Sequence, residues 1–379
     1  MRVLFSSVAG YGHLFPLLPL AQAFRDRGDA VAVATSPSYA RQVDAAGLRL
    51  LPAGLDEDEI NARFAPIRAK SLTLPIPDRR PFVFSHRFGL LEAPTRIDEL
   101  REHALTFRAD VLIHESAELA APVVAAQLGL PSVQHSFGRM VSWAAIEAAA
   151  VEVAPLWERA GVEPEPYAGM FRGSYVDICP PSLDSERPPE GTTVLPRRPV
   201  EANVVDHSGE RPLIYATLGT VVNSPRTLVT LLAGLAELDA DVLLTTGWQN
   251  DPAELGAIPA NATVERFVPQ DEVLPRCSVI VTHAGSGSML GALAHGVPML
   301  AVPHAADQFE NSAASAATGA ARVVMPDELS ERAVHDAAHA LLDDPSYRNA
   351  AHRIAAEIAA MPDTADVAQR IEEQCLTVT

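Results

Sequence analysis

Cysteine is scarce in this chain. Cys179, Cys277 and Cys375 are widely spaced and odd in number, and no C-x-x-C occurs. A disulfide framework and a cysteine zinc site are thereby excluded, and buried reduced thiols are expected. Positive charge is also short: 29 Lys and Arg face 48 Asp and Glu, a formal net charge of −19. Nucleic-acid binding needs a basic footprint and is not expected. Any anionic ligand must instead be held by local features. Long apolar runs are missing, since none reaches the ~18 residues of a membrane span. The opening "MRVLFSSVAGYGH" reads as a strand and a turn, without the long apolar region and cleavage site of a signal peptide, so a cytoplasmic chain is expected.

Two site types are missing as well. A dinucleotide fingerprint fails twice, because "GYGHLF" has Phe15 and "GSGSML" has Leu290 where the third glycine belongs. The second strand ends in Thr35-Ser36, where a ribose-binding acid would stand, so NAD is not expected. No D-x-D or convincing metal cluster occurs. "HDAAH" at 335–339 resembles H-E-x-x-H but has no third ligand, and reads as a solvated helix face. No cofactor and no metal are expected.

What remains is the pattern of an α/β protein. At 379 residues the chain can hold two domains with full cores. The first half alternates "RVLFSSV", "FPLLPLAQAFRDRG", "AVAVAT", "DVLIHES", "AAPVVAAQLG" and "PSVQHS", a strand–helix repeat that predicts a parallel sheet covered by helices. The Pro-, Gly- and charge-rich stretch 185–211 reads as a linker, after which the pattern restarts with "PLIYATLG". The reading is two facing doubly wound Rossmann-like domains, with ligands in a cleft at the C-terminal ends of both sheets. Domain bounds are set at 1–195 and 212–361, with a linker at 196–211 and a terminal helix at 362–379 crossing back to the first domain.

Chemistry-bearing residues collect at those strand ends. "VTHAGSGSML" ends a strand and opens a helix, and helix N-termini carry unpaired N–H groups and partial positive charge. Gly285 and Gly287 would let a phosphate approach, Ser286 and Ser288 could donate hydroxyls, and His283 could add a donor. A tight packing turn explains the same small residues equally well. His13 follows the first strand, and Glu115 ends "DVLIHE" at the same sheet edge. A carboxylate on one imidazole nitrogen fixes the tautomer and lets the other act as a base. Alternation sends His114 to the opposite face. Asp307 and Gln308 open a helix, where Asp307 could cap it or both could hold sugar hydroxyls.

These residues together resemble the GT-B glycosyltransferases of family 1. The run 267–312, "FVPQDEVLPRCSVIVTHAGSGSMLGALAHGVPMLAVPHAADQFENS", is similar to that family's nucleotide-sugar signature. "GYGHLFPLLPLAQAFRDRGD", "RADVLIHE" and "DICPPSLD" resemble its actinomycete branch, which decorates natural products such as antibiotics. The resemblance implies an inverting transferase, with acceptor sites in the first domain and the donor in the second. Phe267 would stack on the base, with Val268 and Gln270 nearby. His283 and the backbone at Gly285, Ser286, Gly287 and Ser288 would hold the diphosphate, Thr220 would line the cleft, and Asp307 and Gln308 would bind the sugar. His13 would be the base, oriented by Glu115.

One departure bears on the donor. UDP-glucose users of this family commonly carry a ribose-binding glutamate where this chain has Gly291. Without it a 2′-hydroxyl loses a charge-assisted hydrogen bond, roughly 1.5–3 kcal/mol, so a dTDP-sugar is expected as co-substrate. Aromatic and methionine residues such as Phe82, Phe137, Met140 and Trp143 are candidates for contact with a hydrophobic aglycone. A UDP-sugar or C-glycosyl transferase, an epimerase of the same fold and a non-catalytic auxiliary protein are the competing readings. A homodimer is compatible with the sequence but not required by it.

Overall fold

A computed structural model of the chain describes residues 1–184, 186–205, 211–219, 224–248 and 250–377. The chain divides into two compact units. The first takes Met1–Cys179, Glu186–Arg197 and Pro362–Thr379, and the second takes Pro180–Ser185 and Arg198–Met361. No helix among the described residues is long and apolar enough to cross a membrane.

The first unit carries a parallel sheet of seven strands among the described residues: β1 (Arg2–Ser6), β2 (Ala30–Thr35), β3 (Arg49–Pro52), β4 (Val111–Glu115), β5 (Ser132–His135), β6 (Ser174–Asp177) and β7 (Val194–Pro196). Their spatial order is β3-β2-β1-β4-β5-β6-β7. Strands covered on both faces need apolar side chains in both directions, which is why "RVLFS" and "AVAVAT" run almost without polar breaks. Val3 and Phe5 enter one apolar layer with Leu20 and Phe24 of the helix Leu18–Asp26, while Leu4 enters the other. That helix ends at Gly28, whose φ of 93° a residue with a Cβ would resist. The helix Thr364–Thr377 completes the same layer with Val367, Ala368, Ile371 and Cys375.

The second unit has six parallel strands among the described residues: β8 (Leu213–Thr217), β9 (Asp241–Thr245), β10 (Ala262–Glu265), β11 (Val279–Thr282), β12 (Met299–Ala301) and β13 (Ala321–Val323), in the order β10-β9-β8-β11-β12-β13. Its core joins Ile214, Val281 and Leu300 of the sheet to Leu228, Leu231 and Leu235 of the helix Pro225–Leu235 and to Val334 of the helix Glu331–Asp343.

Four strands escape the sequence pattern. β3, β6, β7 and β10 are three or four residues each and lie toward the outer parts of their sheets, where the apolar run is too short to register. β7 corrects the reading of 185–211 as linker throughout, because Val194–Pro196 pairs with β6 inside the first sheet. All three cysteines are buried and unlinked, and burial pushes the thiols of Cys277 and Cys375 up to about 12 and about 11.

Candidate active site

In each sheet the strand order reverses once, between β1 and β4 in the first unit and between β8 and β11 in the second. The connections there leave to opposite sides and open a crevice at the strands' C-terminal ends, where such folds bind ligands. His13 and Glu115 lie at the first of these points and His283 at the second, while Phe267 follows β10 and Asp307 follows β12.

In the first unit the β1–β4 register sets Ser6 opposite His114, so the turn after β1 lies beside the end of β4. That turn enters the single-turn helix Tyr11–Leu14, which carries His13. His13 Nδ1 lies 3.2 Å from Glu115 Oε2. A Cβ on Gly10 would sit 2.8 Å from the His13 ring, so only glycine leaves that ring its place. Glu115 is fully buried, and its oxygens also accept from the amides of Val8 at 3.3 Å and Ala117 at 2.6 Å. Burial alone would raise its pKa; the charge and hydrogen bond of His13 and the two amides outweigh that and hold the carboxyl below its ordinary value. An ionised Glu115 requires the proton on His13 Nδ1 and leaves the Nε2 lone pair for a substrate. Phe88 and Phe137 place their rings against the imidazole at 5.2 and 4.9 Å. His114 is a separate interior residue, bonded to the Glu115 carbonyl, its pKa lowered by burial.

A second buried carboxylate stiffens this edge. Glu118 Oε2 accepts from Arg96 Nε at 2.5 Å and from Ser6 Oγ at 2.9 Å. Arg96 also donates to the carbonyls of Ala34 and Ala53, so one guanidinium ties the ends of β1, β2 and β3. Removing one member of such a buried pair costs about 3–5 kcal/mol, because the other is left charged and unpaired. No spacing in the sequence announces this pair.

In the second unit Thr282 of β11 pairs with Thr217 of β8, which brings the loop after β8 to His283. An added Cβ would meet the His283 ring at 2.6 Å from Gly219 and at 2.5 Å from Gly285. Both glycines therefore seat this imidazole. Gly287 has nothing within 4 Å of an added Cβ and is the small residue facing open space. Packing thus explains Gly285, and open approach describes Gly287. Burial, more than any neighbour, pushes His283 down to about 4, with Asp307 opposing and His304 assisting. It is neutral near pH 7 and offers one N–H.

The helix Ser286–Ala294 opens behind Gly285 without a side-chain cap. Ser286 Oγ donates to Asp307 Oδ2 at 2.8 Å, and Asn311 Nδ2 donates to the Ala284 carbonyl and to the same Asp307 oxygen. These bonds hold Ala284 in the left-handed region at φ 63°. Gln308 Oε1 accepts from the amides of His304 and Ala305, fixing the loop ahead of its helix. Asp307 stands at the N-cap position but makes no side-chain cap bond. Gln270 Nε2 donates to Ser288 Oγ at 2.9 Å, joining the segment of Phe267 and Val268 to this helix. Phe267 is 49% exposed and stacks on Trp248. Thr220 lies outside the described residues.

The chain matches the erythromycin biosynthesis protein CIII-like family, residues 22–205 its N-terminal domain and residues 229–374 its C-terminal domain. The chain is 34% identical to the elloramycin glycosyltransferase ElmGT of Streptomyces olivaceus, across 98% of this chain and 97% of that protein. The chain belongs to the family 1 glycosyltransferases of actinomycete natural-product biosynthesis. The L-demethylnoviosyl transferase of Streptomyces niveus is 32% identical, with both chains covered in full. Among solved structures, the Streptomyces sp. SF2575 glycosyltransferase SsfS6 complexed with thymidine diphosphate superposes with a TM-score of 0.77, 28% identity, 98% of this chain and 99% of that one. The protein is a GT-B glycosyltransferase, which sets aside the epimerase and the auxiliary protein.

Of this glycosyltransferase's acceptor candidates, Phe137 touches the His13 ring, and Trp143 packs against Tyr167 and Phe171. Phe82 lies 3.9 Å from the His86 ring, apart from the His13 contacts. Met140 is 5% exposed and belongs to the apolar cluster against which Phe137 and Trp143 pack. Phe88, on a π-helical stretch Ser85–Glu92, reaches His13 instead. The pair His335 and His339 lies on the helix Glu331–Asp343, with His335 against Asp336. Among the described residues no group of three His, Cys, Asp or Glu is arranged to hold a metal ion.

Proposed function

We propose that this enzyme moves a sugar, of deoxy or amino type, from a dTDP-sugar to a hydroxyl of a hydrophobic natural-product aglycone, with inversion at the anomeric carbon. The observation that carries the proposal is the His13–Glu115 pair, an imidazole with Nδ1 on a buried carboxylate at a sheet switch point. His13 Nε2 takes the acceptor proton as the oxygen attacks the anomeric carbon and the bond to the diphosphate breaks. Glu115 stabilises the imidazolium that forms. Charge developing on the leaving diphosphate meets the N–H of neutral His283 and the open helix start at Ser286–Ser288. Such preorganised donors are commonly the largest catalytic contribution. Asp307 and Gln308 are assigned to the donor sugar.

Two observations favour the dTDP donor. Gly291 offers no carboxylate for a 2′-hydroxyl, and the related SsfS6 was solved with thymidine diphosphate. The test is a mass-spectrometric transfer assay of dTDP- and UDP-sugars against a panel of aglycones. His13→Ala is expected to lower turnover about 10²–10⁴-fold with donor binding intact. A variant turning over at the wild-type rate would remove His13 from the chemistry.

A further inference from the structure

Among the described residues of the second unit, the two most exposed aromatic rings are stacked on each other. Trp248 is 60% exposed and Phe267 49%, with ring centroids 5.2 Å apart and planes 19° from parallel. Two large apolar faces left open to water at one spot mark a binding surface more often than they mark packing.

The turn that carries Trp248 is firmly held. Thr246 and Gly247 donate their amides to the carbonyls of Glu265 and Arg266, at 2.9 and 3.0 Å, just beyond β10. Thr246 Oγ1 donates to the Asn250 carbonyl and Asn250 Nδ2 returns a bond to the Thr246 carbonyl. The half-exposed Arg266 and Asp251 pair at 3.2 Å between this turn and the segment after β10. The backbone bonds of Thr246 and Gly247 set the indole beside that segment. Trp248 stands at the C-terminal end of β9, beside β10, on the sheet edge that also carries His283. From Phe267 the chain runs through Pro269 to Gln270, whose amide reaches Ser288.

We propose that Trp248 is a base-recognition residue of the donor site, its indole forming with Phe267 a stacked pair to whose outer face the pyrimidine of a nucleoside diphosphate adds. This rests on the donor reading above. Stacking uses the π-face that every base has and does not separate thymine from uracil. Trp248 therefore sets affinity for the nucleoside, while choice between nucleotides is made elsewhere.

The experiment is calorimetric titration of the full chain with dTDP, UDP and inorganic pyrophosphate, alongside tryptophan emission. Trp248→Ala is expected to weaken dTDP and UDP alike, by roughly 5–100-fold, and to leave pyrophosphate unchanged. Trp248→Phe keeps a ring and most of the affinity but abolishes the dTDP-dependent change in emission, although Trp143 and Trp157 remain. Unchanged melting temperatures would place both effects at the site. Wild-type dTDP affinity in Trp248→Ala, with Phe267→Ala weakened, overturns the assignment of Trp248 and leaves the donor reading standing. A wild-type chain that binds no dTDP overturns both.

Discussion

Gly291 sits inside the helix Ser286–Ala294, and its neighbours decide what a larger residue there would do. An added Cβ lies 3.2 Å from Leu274 Cδ1, the flexible end of a side chain, and 3.8 Å from Gln270 Oε1. Leu274, itself buried, must give by a few tenths of an ångström, and the urea midpoint of Gly291→Glu checks that the variant folds. A carboxylate there would offer a charge-assisted bond to a ribose hydroxyl that dTDP lacks. The UDP-to-dTDP affinity ratio is expected to rise by at least about tenfold, read by competition binding. An unchanged ratio would mean that donor choice does not pass through this position. The contrast with Trp248 is useful, since one substitution should move the ratio and the other should not.

Among the secondary-structure elements, the helix Thr364–Thr377 lends itself to a direct test. Ile371 is fully buried beside Leu20 and Phe24, and Ile371→Ala is expected to cost about 2–5 kcal/mol in urea unfolding. The ion pair of Glu372 with Arg27 on the same helix is partly solvated. Glu372→Gln should therefore cost under about 1 kcal/mol. If the two losses were equal, docking by an apolar face would be the wrong account. The π-helical stretch Ser85–Glu92 shows how an irregular element serves the site. It sets Phe88 against His13, while Arg87 of the same stretch donates to the Ala9 carbonyl in the loop that leads to His13.

For the whole molecule, pH is the informative variable. His114, His135 and His283 are all held below the ordinary histidine pKa, chiefly by burial. A histidine with a lowered folded-state pKa binds fewer protons folded than unfolded. Its contribution is intact above the unfolded value of 6.5 and is lost as pH falls below it. For His283, with a folded-state value of about 4, the loss reaches about 2 kcal/mol at about pH 5. Urea midpoints at about pH 7.5 and about pH 5 should show stability falling with acid, and His283→Gln should shrink that fall. An equal fall in the variant would mean that His283 is not held neutral.

The architecture was legible in local sequence because buried parallel strands must be apolar in both directions and their helices must carry a stripe. Strands were read in the sequence at β1, β2, β4, β5, β8, β9, β11, β12 and β13. The pattern fails for β3, β6, β7 and β10, and most plainly for Val194–Pro196 within a proline-rich stretch. The run 267–312 likewise carried the family, through its resemblance to the nucleotide-sugar signature of these transferases. Tertiary structure alone decided who meets whom. Glu115 stands 102 residues from His13 and touches it only because β1 and β4 are neighbours in register. Arg96 with Glu118, the seating of His283 between Gly219 and Gly285, and the stacking of Trp248 on Phe267 arise in the same way. Gly285 is a chain neighbour of His283, but Gly219, Arg96 with Glu118, and Trp248 with Phe267 meet across separate elements, and the fold brings them within reach of short-range forces.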